Sequence, residues 1–153
     1  MAEPVIEQIA QWIESALDGM QDPDATLTLR AVRPKILDWT MQDFKHGDVI
    51  IEANSIATQS RTLCESRTEL AMFKCYGIIR TLPADTAADT VLTRMTETIR
   101  RLLMDGNIGG KACGGLAMNI DCPSSSFDVM DGGAIADIDV QIMYKTALWD
   151  GYQ

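Results

Sequence analysis

The stretch that decides the fold is Ala134-Ile-Ala-Asp-Ile-Asp-Val-Gln-Ile-Met-Tyr-Lys-Thr146. Ala134, Ala136, Ile138, Val140, Ile142 and Tyr144 fall on the even positions, and Asp137, Asp139, Gln141, Met143 and Lys145 on the odd ones. Side chains alternate between the two sides of a strand, so one side faces a core and the other water. A strand with one wet side belongs to a sheet covered on one face, and the rest of the chain supplies the cover.

Two helices carry apolar stripes. The first is expected from about Pro4 to Leu17, with Val5, Ile9, Trp12 and Ala16 in one line and Ile6, Ile13 and Leu17 widening it. Pro4 suits the first turn, Gly19 the stop, and Asp22-Pro23-Asp24 a turn. In the second helix Ala88, Val91, Leu92, Met95, Ile99, Leu102 and Leu103 keep the helical period. Asp85 or Thr86 can cap it, and Gly106 or Asn107 closes it.

The remaining segments read as strands and loops. Ala25 to Val32 alternates, and Pro34 ends that strand. A second strand covers Asp48 to Ala53, and a longer one covers Thr68 to Thr81 with apolar residues on both faces. Gly77 within it marks a bulge. Between them, Ser55 to Ser66 is polar without a period and reads as a long loop or hairpin connection. Asn107 to Gly115 is a glycine-rich loop, and a strand from Leu116 to Cys122 ends at Pro123 and a serine run. Asp131-Gly132-Gly133 then turns into the final strand. The order α-β-β-β-α-β-β predicts a single α+β domain over 1–153: a mainly antiparallel mixed β-sheet with two amphipathic helices packed on one face.

Composition narrows the function. The 153 residues suffice for one core without staples. A net charge of −9 argues against nucleic-acid binding, which needs clustered Lys and Arg to neutralise phosphates. No apolar run is long enough to span a membrane, and without a basic region followed by an apolar one at the N-terminus no signal peptide is expected. Cys64, Cys75, Cys113 and Cys122 lack a close pair; they read as reduced thiols and not as zinc ligands.

Catalytic constellations are not apparent, so no enzyme, cofactor or metal site is expected. Gly106-Asn-Ile-Gly-Gly-Lys-Ala112 fails as a phosphate loop: Asp105 stands at the first glycine position, Ala112 at the hydroxyl position, and the stretch follows a helix instead of opening one. His46, the single histidine, reads as a solvated loop residue. Ser124 to Ser126 lacks a nucleophile-elbow context. Asp137 and Asp139 share the wet face; they read as solubility devices, with acid–base work or cation binding as the alternative. Large aromatics in polar segments anchor interfaces or fold back onto the domain edge. The candidate oligomer or partner contacts are Trp39, Phe44, Arg61, Trp149 and Tyr152.

The pattern resembles the tail terminators (minor tail protein U-like) and tail-completion proteins of tailed phages. The residues that carry it are Ile9-x-x-Trp12-Ile13 in the first helix, the strand Leu27 to Arg33, Glu69-Leu-Ala-Met-Phe-Lys-Cys-Tyr76, and above all Ile138-Asp-Val-Gln-Ile-Met-Tyr-Lys-Thr146. The resemblance implies a non-enzymatic ring, usually a hexamer, that caps the tail tube and offers a head-docking surface. Its partners would be copies of itself, the tail tube protein and the head–tail connector protein. Its place would be the virion tail, after assembly in the host cytoplasm. Other readings are a different head–tail joining or minor tail protein, a small α+β enzyme or ligand-binding domain using the Asp137/Asp139 face, and an adaptor using a sheet edge.

Overall fold

A computed structural model describes residues 4–23, 27–35, 38–61, 66–80, 87–105, 111–130 and 133–147. The chain is an α+β fold of two layers. The elements are α1 (Val5–Leu17), β1 (Arg30–Val32), β2 (Asp48–Arg61), β3 (Ser66–Ile79), α2 (Ala88–Met104), β4 (Asn119–Met130) and β5 (Gly133–Ala147). The strands form one five-stranded sheet in the order β1-β2-β3-β5-β4. Only the β1–β2 pair is parallel; the other three pairs are antiparallel.

Both helices cover the same face. Val5, Ile9, Ala10, Ile13 and Leu17 of α1 and Leu92, Met95, Ile99 and Leu103 of α2 are buried. They pack against Val49, Ile51, Phe73, Cys75, Ile138, Val140 and Ile142 of the sheet. The even residues of β5 therefore form the core side, as their alternation predicts. Tyr144, the last of them, is also buried.

Several expectations need correction. Of the two readings of Ser55 to Ser66, the hairpin holds and the loop does not: β2 continues to Arg61 and pairs with β3 from Arg67 onward, as in Ile56 opposite Ala71 and Thr58 opposite Glu69. This hairpin forms an arm in which Asn54 to Thr58 are all exposed. A strand segment bare on both faces needs no apolar alternation, which is why the sequence period vanishes over Asn54 to Thr58, while Glu69 and Ala71 opposite it are buried.

Pro123 does not end its strand. β4 begins at Asn119 and runs through Pro123 to Met130, with a register shift between Asp121 and Ser124. β4 is the sheet edge, where a proline at a bulge forfeits no ladder hydrogen bond. The first strand is shorter than expected, only Arg30–Val32, although Leu27 and Leu29 before it are buried.

Gly77 is not a bulge. It keeps regular register opposite Val49 and Ala136. A Cβ there would lie 2.6 Å from Met95 Sδ, so the glycine lets α2 sit close to the sheet. The N-cap of α2 is Ala87, without a side-chain cap; Asp85, Thr86 and the Gly106–Gly110 segment lie outside the described residues. No described helix is long and apolar enough to cross a membrane.

Candidate functional site

The sheet face opposite the helices is organised in rows, because strand register places side chains directly across from one another. One row reads Glu52, Lys74, Asp139, Ser124; the next reads Ile50, Tyr76, Asp137, Ser126. A third sets Ile78 opposite Ile135 and Ile135 opposite Asp128.

Asp137 and Asp139 are not bare solubility groups. Lys74 Nζ lies 3.3 Å from Asp137 Oδ2 and 3.4 Å from Asp139 Oδ1. Ser124 Oγ donates to Asp139 Oδ2 at 2.6 Å. That bond, opposed by partial burial and aided by Lys74, holds the Asp139 carboxyl below its usual range. Burial alone would pull Lys74 down, but the two carboxylates outweigh it and hold its ammonium above the usual lysine range. A carboxylate kept ionised between a lysine and a hydroxyl is a poor proton donor.

Trp39 and Phe44 come together. They belong to a strap, residues 38–47, that folds across the lower part of this face. The two rings meet edge to face with centroids 5.3 Å apart, and Trp39 meets Tyr76 at 5.1 Å. Beneath them Met41, Ile50, Ile78 and Ile135 form a second small core. Each such ring pair contributes about 0.5–1.5 kcal/mol beyond its buried area. Both aromatics are thus half-buried, folded back on their own sheet.

Polar bonds pin the strap at each end. The Trp39 indole N–H donates to Glu52. A capping box joins Thr40 to Asp43 around a short turn over Met41–Asp43. The Arg80 guanidinium donates to the carbonyls of Phe44 at 2.8 Å and Met41 at 2.7 Å. Asp48 is buried and accepts from Arg30 Nε at 2.8 Å, Arg30 Nη2 at 2.7 Å and the Lys45 N–H at 2.9 Å. The bond and charge of Asp48 raise the Arg30 guanidinium further above its usual value.

His46 departs from expectation. It is half-buried, and its Nδ1 accepts the Arg80 backbone N–H at 3.0 Å. Burial lowers its pKa, so the neutral ring is the native form. Cys75, Cys113 and Cys122 are buried free thiols. Burial pushes Cys113 up to about 12 and Cys122 to about 11, and Cys75 rises as well.

The strap covers the β2 and β3 columns, touches β5 at Ile135, and stops short of β4. The step leaves an open groove of about 650 Å3. Trp39, Met41 and Tyr76 line it on one side, Ile135 and Asp137 along β5, and Ser126 and Asp128 along β4.

Among the expected contacts, Arg61 ends β2 at the outer end of the arm, and its side chain lies outside the described residues, as do Trp149, Tyr152 and Cys64. Sequence reasoning missed Tyr76, Ile135 and Asp128 as groove residues. Tyr76 carried a signal, since it shares parity with Lys74 and thus the face of Asp137 and Asp139. Among the described residues, no group of His, Cys, Asp and Glu side chains is arranged to hold a metal ion. Compared with known proteins, the chain matches no protein-family model and no curated protein.

Proposed function

We propose that this chain is a structural tail-assembly protein of a phage or prophage, a ring that ends tail-tube polymerisation and presents a surface for the head. The resemblance of its segments to tail terminators suggests the role, and one structural observation carries it: among the described residues, the sheet has two different uncovered edges. β1 pairs with β2 only at Asp48–Ile50, so from Ile51 to Arg61 the outer edge of β2 has no strand partner among the described residues. On the far side, β4 is the other edge.

A closed ring needs a heterologous contact, in which one surface meets a different surface on the next copy. Two distinct edges supply such a pair. β2, β3, β5 and β4 alternate in direction, so β2 of one copy set beside β4 of the next continues the antiparallel order. Ile56, 51% exposed on the first edge, and Phe127 and Val129, 45% and 72% exposed on the second, are the apolar groups such contacts would cover. The acidic balance of −9 suits a ring through which DNA passes without being held.

The test is tube assembly with the cognate tail tube protein. Tubes polymerised with this chain end at a uniform length with a ring at one tip. A ring that leaves tube length unchanged assigns the chain to another head–tail joining or minor tail role. Tubes untouched by the chain, with no ring formed, contradict the reading.

A further inference from the structure

We propose that the groove between the strap and β4 binds an arginine side chain presented by a basic segment of a protein partner. This inference goes beyond the ring reading and does not depend on it.

The lining sets the chemistry of the occupant. Trp39, Met41, Tyr76 and Ile135 offer apolar and aromatic surface; Asp128 and Asp137 offer two carboxylates; Thr40 and Ser126 offer hydroxyls. No cation belongs to the described lining. Among the described residues the one cation against Asp137 is Lys74, which it shares with Asp139, so there the carboxylates outnumber their counter-charge. An anionic ligand is repelled there, and a purely apolar one leaves the carboxylates buried beneath it at a cost.

A second observation comes from Asp137 itself. Its Oδ2 faces Lys74, while its Oδ1 is shielded from solvent and accepts no hydrogen bond from the described residues. A charged oxygen without a donor is expensive. A partial turn of the carboxyl group about its last, softly hindered torsion brings one oxygen toward a donor entering the groove while the other stays near Lys74.

Arginine fits these demands together. Its methylene stem covers apolar surface such as Ile135 and Met41. Its planar head stacks on aromatic rings and donates in a fork to a carboxylate. The stack is available because Trp39 and Tyr76 are held by each other and by the Glu52 bond, so little side-chain freedom is lost on binding.

The test uses the full chain with Trp12→Phe and Trp149→Phe, which leaves Trp39 as the only tryptophan. Titration with acetyl-Gly-Arg-Gly-amide shifts the Trp39 emission to saturation. The citrulline peptide, of the same shape but uncharged, produces no saturable shift. Asp137→Asn weakens binding about tenfold and the exposed Asp128→Asn about threefold. Asp89→Asn, on α2 at the opposite face, leaves it unchanged. Calorimetry on the unaltered chain repeats the arginine–citrulline comparison, so a folding defect in the tryptophan variant does not decide the matter. Equal responses to the two peptides, no saturable response, or an equal loss in Asp89→Asn overturns the proposal.

Discussion

The backbone N–H of Arg80 donates to Nδ1 of His46 at 3.0 Å, tying the end of β3 to the strap 34 residues earlier in the chain. The bond exists only while Nδ1 is unprotonated, and burial lowers the His46 pKa below its ordinary 6.5. A lowered folded-state pKa means that the unfolded chain takes up the proton first. The stabilisation is therefore fully present above pH about 6.5 and is lost as pH falls from there toward the folded pKa. Urea midpoints should drop as pH falls from 7.5 to 5.5. In His46→Asn, whose side-chain carbonyl can accept the same N–H without titrating, that part of the pH dependence should vanish.

Asp48 is the strap's other anchor. Its two oxygens serve Arg30 and the Lys45 N–H, and its side chain is 2% exposed. Asp48→Ala removes a charge-assisted fork and strands a backbone donor, and should cost about 2–3 kcal/mol in denaturant unfolding. Arg30→Ala should cost less, because Arg30 is 56% exposed and its partner keeps the Lys45 bond.

Two glycines separate soft from hard crowding. At Gly77 an added Cβ meets the end of the Met95 side chain at 2.6 Å, a flexible group in a full core, so Gly77→Ala should cost about 1–2 kcal/mol. At Gly47, φ is +88° and the added Cβ meets the Thr28 carbonyl oxygen at 2.5 Å. Backbone cannot swing aside, so Gly47→Ala should cost more than Gly77→Ala and shift thermal midpoints accordingly.

The three buried thiols should resist alkylation. With Cys113 near 12 and Cys122 near 11, and Cys75 raised as well, almost no thiolate exists at pH 8. Mass mapping after iodoacetamide treatment should find these three sites unmodified in the folded chain and modified in urea.

Segments with one face in a core were legible in the sequence. β5, α1 and α2 each carry a single apolar period, and their places in the two-layer fold follow from it. The arm was not legible, because Asn54 to Thr58 are exposed and only their pairing with β3 makes them a strand. Pro123 misled because a stop signal inside a sheet becomes a tolerated bulge at its edge. The strap misled for another reason. Trp39 and Phe44 stood out as aromatics in a polar segment, but Tyr76 and Arg80, which hold the strap down, lie more than 30 residues further along the chain. The role of His46 was invisible for the same reason, since its partner is a distant backbone N–H.

The most direct measurement of the central claim is the mass of the assembled chain by light scattering as concentration rises, with negative-stain imaging of the same fractions. The ring reading predicts a closed oligomer of the 16.8 kDa chain, a hexamer by the resemblance, that Ile56→Pro on β2 disperses while the monomer stays folded. A chain that remains monomeric at every concentration, and in the presence of the tail tube protein, would contradict it.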